Sequence, residues 1–143
     1  MSRARLGLIT VVGLFLIIQL IPVNQVNPPI IKRAIVPADV EVLLRESCYD
    51  CHSYETEWPW YSRIAPGSFL ITHDVIEGRR HLNFSDFSGM DSFDSMDVAE
   101  EILEVLEKGE MPPSQYLILH PGASLSNSEL NTLRSWANSL YGE

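Results

Sequence analysis

Cysteine is scarce in this chain: 143 residues contain only Cys48 and Cys51. Both fall inside one five-residue stretch, so a disulfide framework tying distant segments together is excluded. Acidic residues are missing from the start. All 19 lie at or beyond Asp39, whereas Arg3, Arg5, Lys32 and Arg33 are four of the 10 basic ones. Residues 38–143 hold six basic against 19 acidic side chains, a formal charge of −13. Such a surface repels nucleic acid and anionic lipid headgroups and suits a basic protein partner. No alternating polar and apolar run exceeds four residues, and there is no internal repeat or low-complexity tract, so strands and solenoids are not expected. What remains is material for one modest domain, 45% apolar, whose nine prolines and eight glycines imply much irregular chain. A small domain of that kind usually needs a staple such as a metal or cofactor.

The first segment is the one long apolar run. Leu6 to Ile21 reads LGLITVVGLFLIIQLI, uncharged and preceded by Arg3 and Arg5. With Ala4, Pro22 and Val23 it approaches the roughly 20 residues that a membrane span needs. No A-x-A-like cleavage site follows, so residues 1–23 are predicted to be an uncleaved single-pass transmembrane anchor. Arg3 and Arg5 put the amino terminus on the cytoplasmic side. The rest of the chain is then expected on the periplasmic face of a bacterial inner membrane. Residues 24–37 contain Pro28, Pro29 and Pro37 and read as a semi-rigid extended spacer.

Residues 38–143 carry four helical patterns. Ala38 to Cys51 places Val40, Leu43, Leu44, Cys48 and Cys51 on one face. A second helix is predicted over Gly67–Arg80, after Pro66. A third covers Met96–Lys108, with Asp94 or Ser95 as N-cap and Gly109 just past its end. The last covers Asn127–Tyr141, opening on the capping box Ser126-x-x-Glu129 and burying Leu130, Leu133, Ala137, Leu140 and Tyr141. The expected class is all-α.

The chemistry sits in Cys48-Tyr49-Asp50-Cys51-His52, the CxxCH pattern of covalent haem attachment. Two thiols three positions apart on one turn can each form a thioether to a porphyrin vinyl group, and the next imidazole is then held under the iron. A thioredoxin-like reading of CxxC needs a βαβ context that is missing. A zinc reading needs a fourth ligand, from His73, His81 or His120. For the second axial position the candidates are Met90, Met96, Met111, His73, His81 and His120. Met111 is favoured and His73 is the main alternative. Gly109-Glu110-Met111-Pro112-Pro113 pairs a helix stop with two prolines, a stiff turn able to hold a thioether at a fixed angle.

Several dispersed stretches resemble one family in order: Cys48 to Ser53, Trp58-Pro59-Trp60-Tyr61-Ser62, Ile64-Ala65-Pro66, Glu77-Gly78-Arg79, Leu82-Asn83-Phe84-Ser85, Met111-Pro112-Pro113 and Leu119-His120-Pro121. They look like the bacterial haem-binding domain family related to cytochrome c, over about residues 40–141. Phe87 stands where an aromatic, often tryptophan, is expected. The resemblance implies a mono-haem, cytochrome c-like helical domain. Trp60 and Tyr61 either pack on the core or wall the haem pocket. A Trp or Tyr donor, or Arg63, would reach a propionate, and a carbonyl of the Ile64-Ala65-Pro66 turn would accept the His52 Nδ1 proton.

The expectation is a membrane-anchored mono-haem c-type cytochrome. It has one covalent haem c, His52 and Met111 as iron ligands, and electron transfer to basic redox partners, with no substrate bond made or broken. The alternative is a haem-based sensor or gas-binding protein with an open distal site.

Overall fold

The computed structural model of the chain describes residues 2–86 and 92–140, the side chains of 92–95 excepted. The readings at Phe87, Met90 and Tyr141 lie outside the described residues. The helices are α1 (Arg3–Ile18), α2 (Ala38–Ser47), α3 (Tyr49–His52), α4 (Gly67–His81), α5 (Ser92–Lys108), α6 (Ser114–Leu119) and α7 (Asn127–Ser139). Single 3-10 turns lie at Trp60–Arg63 and Pro121–Ala123. Among the described residues there is no strand, only an isolated parallel bridge between Lys32 and Asp86. The protein is all-helical.

The core gathers Val40, Leu43 and Leu44 of α2 with Tyr49, Phe84, Leu106 of α5, and Leu133 and Trp136 of α7. Tyr49 stacks on Phe84 at 5.3 Å between ring centroids. Burying an aliphatic side chain such as Leu133 stabilises by about 1.5–3 kcal/mol. The first residue of the CxxCH spacer is thus a core residue, which anchors the motif to the interior. Helix α7 opens with the expected capping box: Ser126 Oγ accepts from the Glu129 amide at 3.4 Å, and the Glu129 carboxylate accepts from the Ser126 amide at 2.7 Å. Helix α5 starts at Ser92, so Asp94 and Ser95, predicted as its caps, lie inside it. It stops as the sequence predicts. Gly109 has φ 65°, and the amides of Gly109 and Glu110 turn back to the carbonyls of Leu106 and Val105 at 3.4 and 3.0 Å, the Schellman arrangement.

The predicted transmembrane anchor is overturned. No helix among the described residues is long and apolar enough to cross a membrane. Helix α1 has 16 residues, a rise of about 24 Å against a hydrocarbon core of about 30 Å. The apolar run continues to Ile21, but the helix ends at Ile18. Gln19 turns its carboxamide onto the backbone of Ala65, donating to the carbonyl at 3.1 Å and accepting from the amide at 2.9 Å. Pro22 then blocks continuation. The single-pass inner-membrane localisation, and the periplasmic placement that depended on it, fall with the anchor.

Residues 24–37, expected as a spacer, lie strapped against the helices. Gln25 donates to the Ser62 carbonyl and to Thr72 Oγ1. Asn27 donates to the Thr56 carbonyl at 2.8 Å. The amides of Ile31 and Lys32 reach the Ser85 carbonyl, and that of Ala34 the Phe84 carbonyl. Side-chain amides supply the donors and acceptors that a proline-rich backbone cannot.

Candidate functional site

Helix α2 does not run on through the motif. At Cys48 the backbone leaves helical geometry, with φ −127° and ψ −36°, while its amide still closes α2 on Leu44 at 2.8 Å. A fresh turn then begins. The amides of Cys51 and His52 both donate to the Cys48 carbonyl, at 3.1 and 2.9 Å, so the two thiols and the imidazole are held on one short turn. Both cysteines are free and partly buried. Burial pushes the Cys48 thiol up to about 12, with Cys51 adding to the effect. Burial, then Asp50 and Asp74, push the Cys51 thiol up to about 11 against the pull of Arg79. Reactive redox cysteines carry the opposite shift. Nor does a zinc site assemble. Among the described residues no three His, Cys, Asp or Glu side chains are grouped to hold a metal ion.

His52 Nδ1 lies 3.1 Å from the Leu82 carbonyl oxygen. A carbonyl only accepts, so Nδ1 carries the proton and Nε2 keeps its lone pair. Burial lowers the pKa of His52, opposed by the backbone carbonyls of Leu82 and Gly78, which favours the neutral imidazole. The Ile64-Ala65-Pro66 turn predicted for this role does not fill it. The end of α4 that reaches His52 is the carboxyl end, and the Ala65 carbonyl is occupied by Gln19.

That carboxyl end forms a cradle for α3. A Cβ on Gly78 would sit 2.6 Å from the Cys51 carbonyl oxygen and 3.1 Å from Cys51 Cβ. Only glycine permits this crossing. Next to it, Arg79 donates through Nε to the Ser53 carbonyl at 2.7 Å. The Phe84 amide donates to the His52 carbonyl at 2.8 Å, and the Tyr54 amide to Ser85 Oγ at 2.9 Å. Sequence reasoning assigned no role to Gly78, Arg79 or Leu82. A glycine inside a helical pattern was the one available signal of close approach.

The other predicted residues are more dispersed. Met111 stands in the turn ahead of α6, 38% exposed and outside the core cluster. Trp60 is 75% exposed, edge-on to Tyr61 at 5.7 Å. Arg63, Pro66, His73 and His81 are exposed, as is Met96. Tyr61 meets His120 instead, its hydroxyl 3.1 Å from Nε2. The His120 Nδ1 lies 3.1 Å from the Tyr116 carbonyl, so both of its ring nitrogens are engaged. Tyr116 ties α6 to the motif by donating to Asp50 Oδ2 at 2.9 Å; burial, then this carboxylate, raises its pKa. A cleft of about 510 Å³ opens here, lined by Tyr49, Asp50, Glu57 and Tyr116 among others, with none of Cys48, Cys51 and His52 in its lining.

Two thiols and an imidazole with its proton on Nδ1, on one turn, are a donor set that fits haem attached at Cys48 and Cys51. No curated protein and no solved structure matches the chain. The sequence model of the haem-binding domain family matches residues 13–139, so its span takes in part of α1, the strap and every helix that cradles the motif, and the chain belongs to that family.

Proposed function

We propose that the chain carries one haem c, joined through thioethers at Cys48 and Cys51, and serves in one-electron transfer. The observation that supports this best is the hydrogen bond from His52 Nδ1 to the Leu82 carbonyl. It fixes the ring's tautomer and orientation and raises the basicity of Nε2, as outer partners of metal-bound histidines do. When bound, the haem supplies a one-electron redox couple. The chain's residues do the rest. Cys48 and Cys51 would hold the porphyrin, and His52 and Met111 would bind its iron; a methionine ligand would raise the potential relative to two histidines. The formal −13 on residues 38–143 steers basic redox partners to the surface.

The exposure of Met111 favours one second reading, a sensor or gas-binding protein whose distal site is open. Carbon monoxide separates the two. A six-coordinate low-spin haem that resists it marks the carrier, and a five-coordinate one that binds it marks the sensor. Covalency is tested by acid-acetone extraction of the matured protein. The haem is expected to stay on the chain, and Cys48→Ala or Cys51→Ala to cripple maturation. Haem that extracts freely from the unmutated protein defeats the reading.

A further inference from the structure

Arg79 is placed unlike Arg33, Arg45 and Arg80. Arg33 and Arg45 pair with Glu55, Arg45 also with Glu41, and Arg80 with Glu77. The Arg79 guanidinium donates to four neutral acceptors: the Ser53 carbonyl at 2.7 Å, the Val26 carbonyl at 2.8 Å, Asn27 Oδ1 at 2.8 Å and Thr56 Oγ1 at 2.9 Å. Among the described residues none of its partners is a carboxylate, in a chain with 19 acidic residues. Its position is forced. Gly78 lets α4 meet the Cys51 backbone with no side chain between them, so the next residue lies beside α3, bonded to the carbonyl that follows His52.

We propose that Arg79 is a positioning residue that raises the reduction potential of a haem held at Cys51 and His52, by keeping an uncompensated positive charge beside them. The inference rests on the covalent-haem reading. Reduction takes one electron from a donor protein and lowers the charge on the iron by one; reoxidation returns it to an acceptor. Arg79 exchanges no proton in either direction. A nearby fixed positive charge disfavours the ferric form more than the ferrous, and partial burial weakens screening by water. Asp74, one helical turn before Gly78 on the same helix, carries the opposite charge.

The test is spectroelectrochemical titration of the matured holoprotein and its variants, with haem attachment read by pyridine haemochrome. Arg79→Gln is expected to lower the ferrous-to-ferric ratio at the wild-type midpoint about tenfold, about 59 mV for one electron. Arg79→Lys keeps the charge, so it should cost thermal stability while leaving most of the potential. Asp74→Asn should raise the potential by less. If Arg79→Gln does not mature, Asn27→Asp brings a carboxylate to Nη2 without removing the guanidinium and should lower the potential. The proposal is overturned if Arg79→Gln or Asn27→Asp leaves the potential unchanged, if Gln and Lys shift it equally, or if Arg79→Gln and Asp74→Asn move it in the same direction. Wild-type protein without covalent haem overturns both this and the reading beneath it; covalent haem with an indifferent potential overturns only the role of Arg79.

Discussion

The segment that holds Cys51 and His52 and the turn that carries Met111 are built in opposite ways. Over residues 51–54, ring, amide and carbonyl groups are matched by Leu82, Phe84, Ser85 and Arg79, and Gly78 closes the contact. The Met111 turn is fixed at its start by the left-handed Gly109 and downstream by the bond from Tyr116 to Asp50, while Met111 itself is 38% exposed. The difference suits the two ligand roles proposed for His52 and Met111. An imidazole must arrive with the right tautomer and direction, which only surrounding hydrogen bonds can set. A thioether has no proton to place, and its flexible side chain can settle onto an iron that is already there.

Breaking the built side should have the largest effect. Gly78→Val drives methyl groups into the Cys51 backbone, where even a Cβ would stand at 2.6 Å, and overpacking of this kind costs about 1–3 kcal/mol or more. Thermal unfolding of the matured protein measures it. A loss below about 0.5 kcal/mol, the ordinary range for surface changes, would show that α3 and α4 are not tightly joined.

A smaller effect is expected from pH. Burial holds the folded-state pKa of His52 below its ordinary value of 6.5, so the unfolded chain binds the proton more readily. The contribution is therefore fully present above that value and is lost as pH falls below it, toward the folded pKa. Denaturant midpoints of the haem-free chain across this window should drop on acidification and flatten in His52→Gln; an identical slope in the variant would assign the loss to other groups.

The smallest stability change is expected on the unbuilt side. In the haem-free chain Met111→Ala should stay within about 0.5 kcal/mol, as for a surface site. In the matured protein it should abolish the weak far-red band of methionine bound to ferric iron. Survival of that band would exclude Met111 as the ligand.

The contrast also explains what could be read from sequence. The grouping of Cys48, Cys51 and His52 on one turn was legible because their spacing is local, and the Ser126–Glu129 box and Gly109 stop because caps are local too. Leu82 was not legible as the acceptor for His52. It acts through a carbonyl that every residue possesses, and it lies 30 positions away. The break at Cys48 was hidden because Val40, Leu43, Leu44, Cys48 and Cys51 keep helical spacing across it. The apolar run to Ile21 concealed the end of α1, because nothing in the sequence shows that Gln19 bonds to Ala65. The prolines of residues 24–37 suggested a spacer, whereas the carboxamides of Gln25 and Asn27 do the fastening.

That fastening has a mechanical consequence. Tension applied at the amino-terminal end would meet the strap as a series of rungs: Gln19 on Ala65, Gln25 on Ser62 and Thr72, then Val26 and Asn27 on Arg79 and Thr56. Each rung is two or three hydrogen bonds, loaded in turn, so the strap peels stepwise. The Ser85 and Phe84 carbonyls are reached only after these, through Ile31, Lys32 and Ala34. The third rung reaches the motif, since Arg79 also holds the Ser53 carbonyl, so a pull that has undone Gln19 and Gln25 would next load the turn bearing Cys51 and His52.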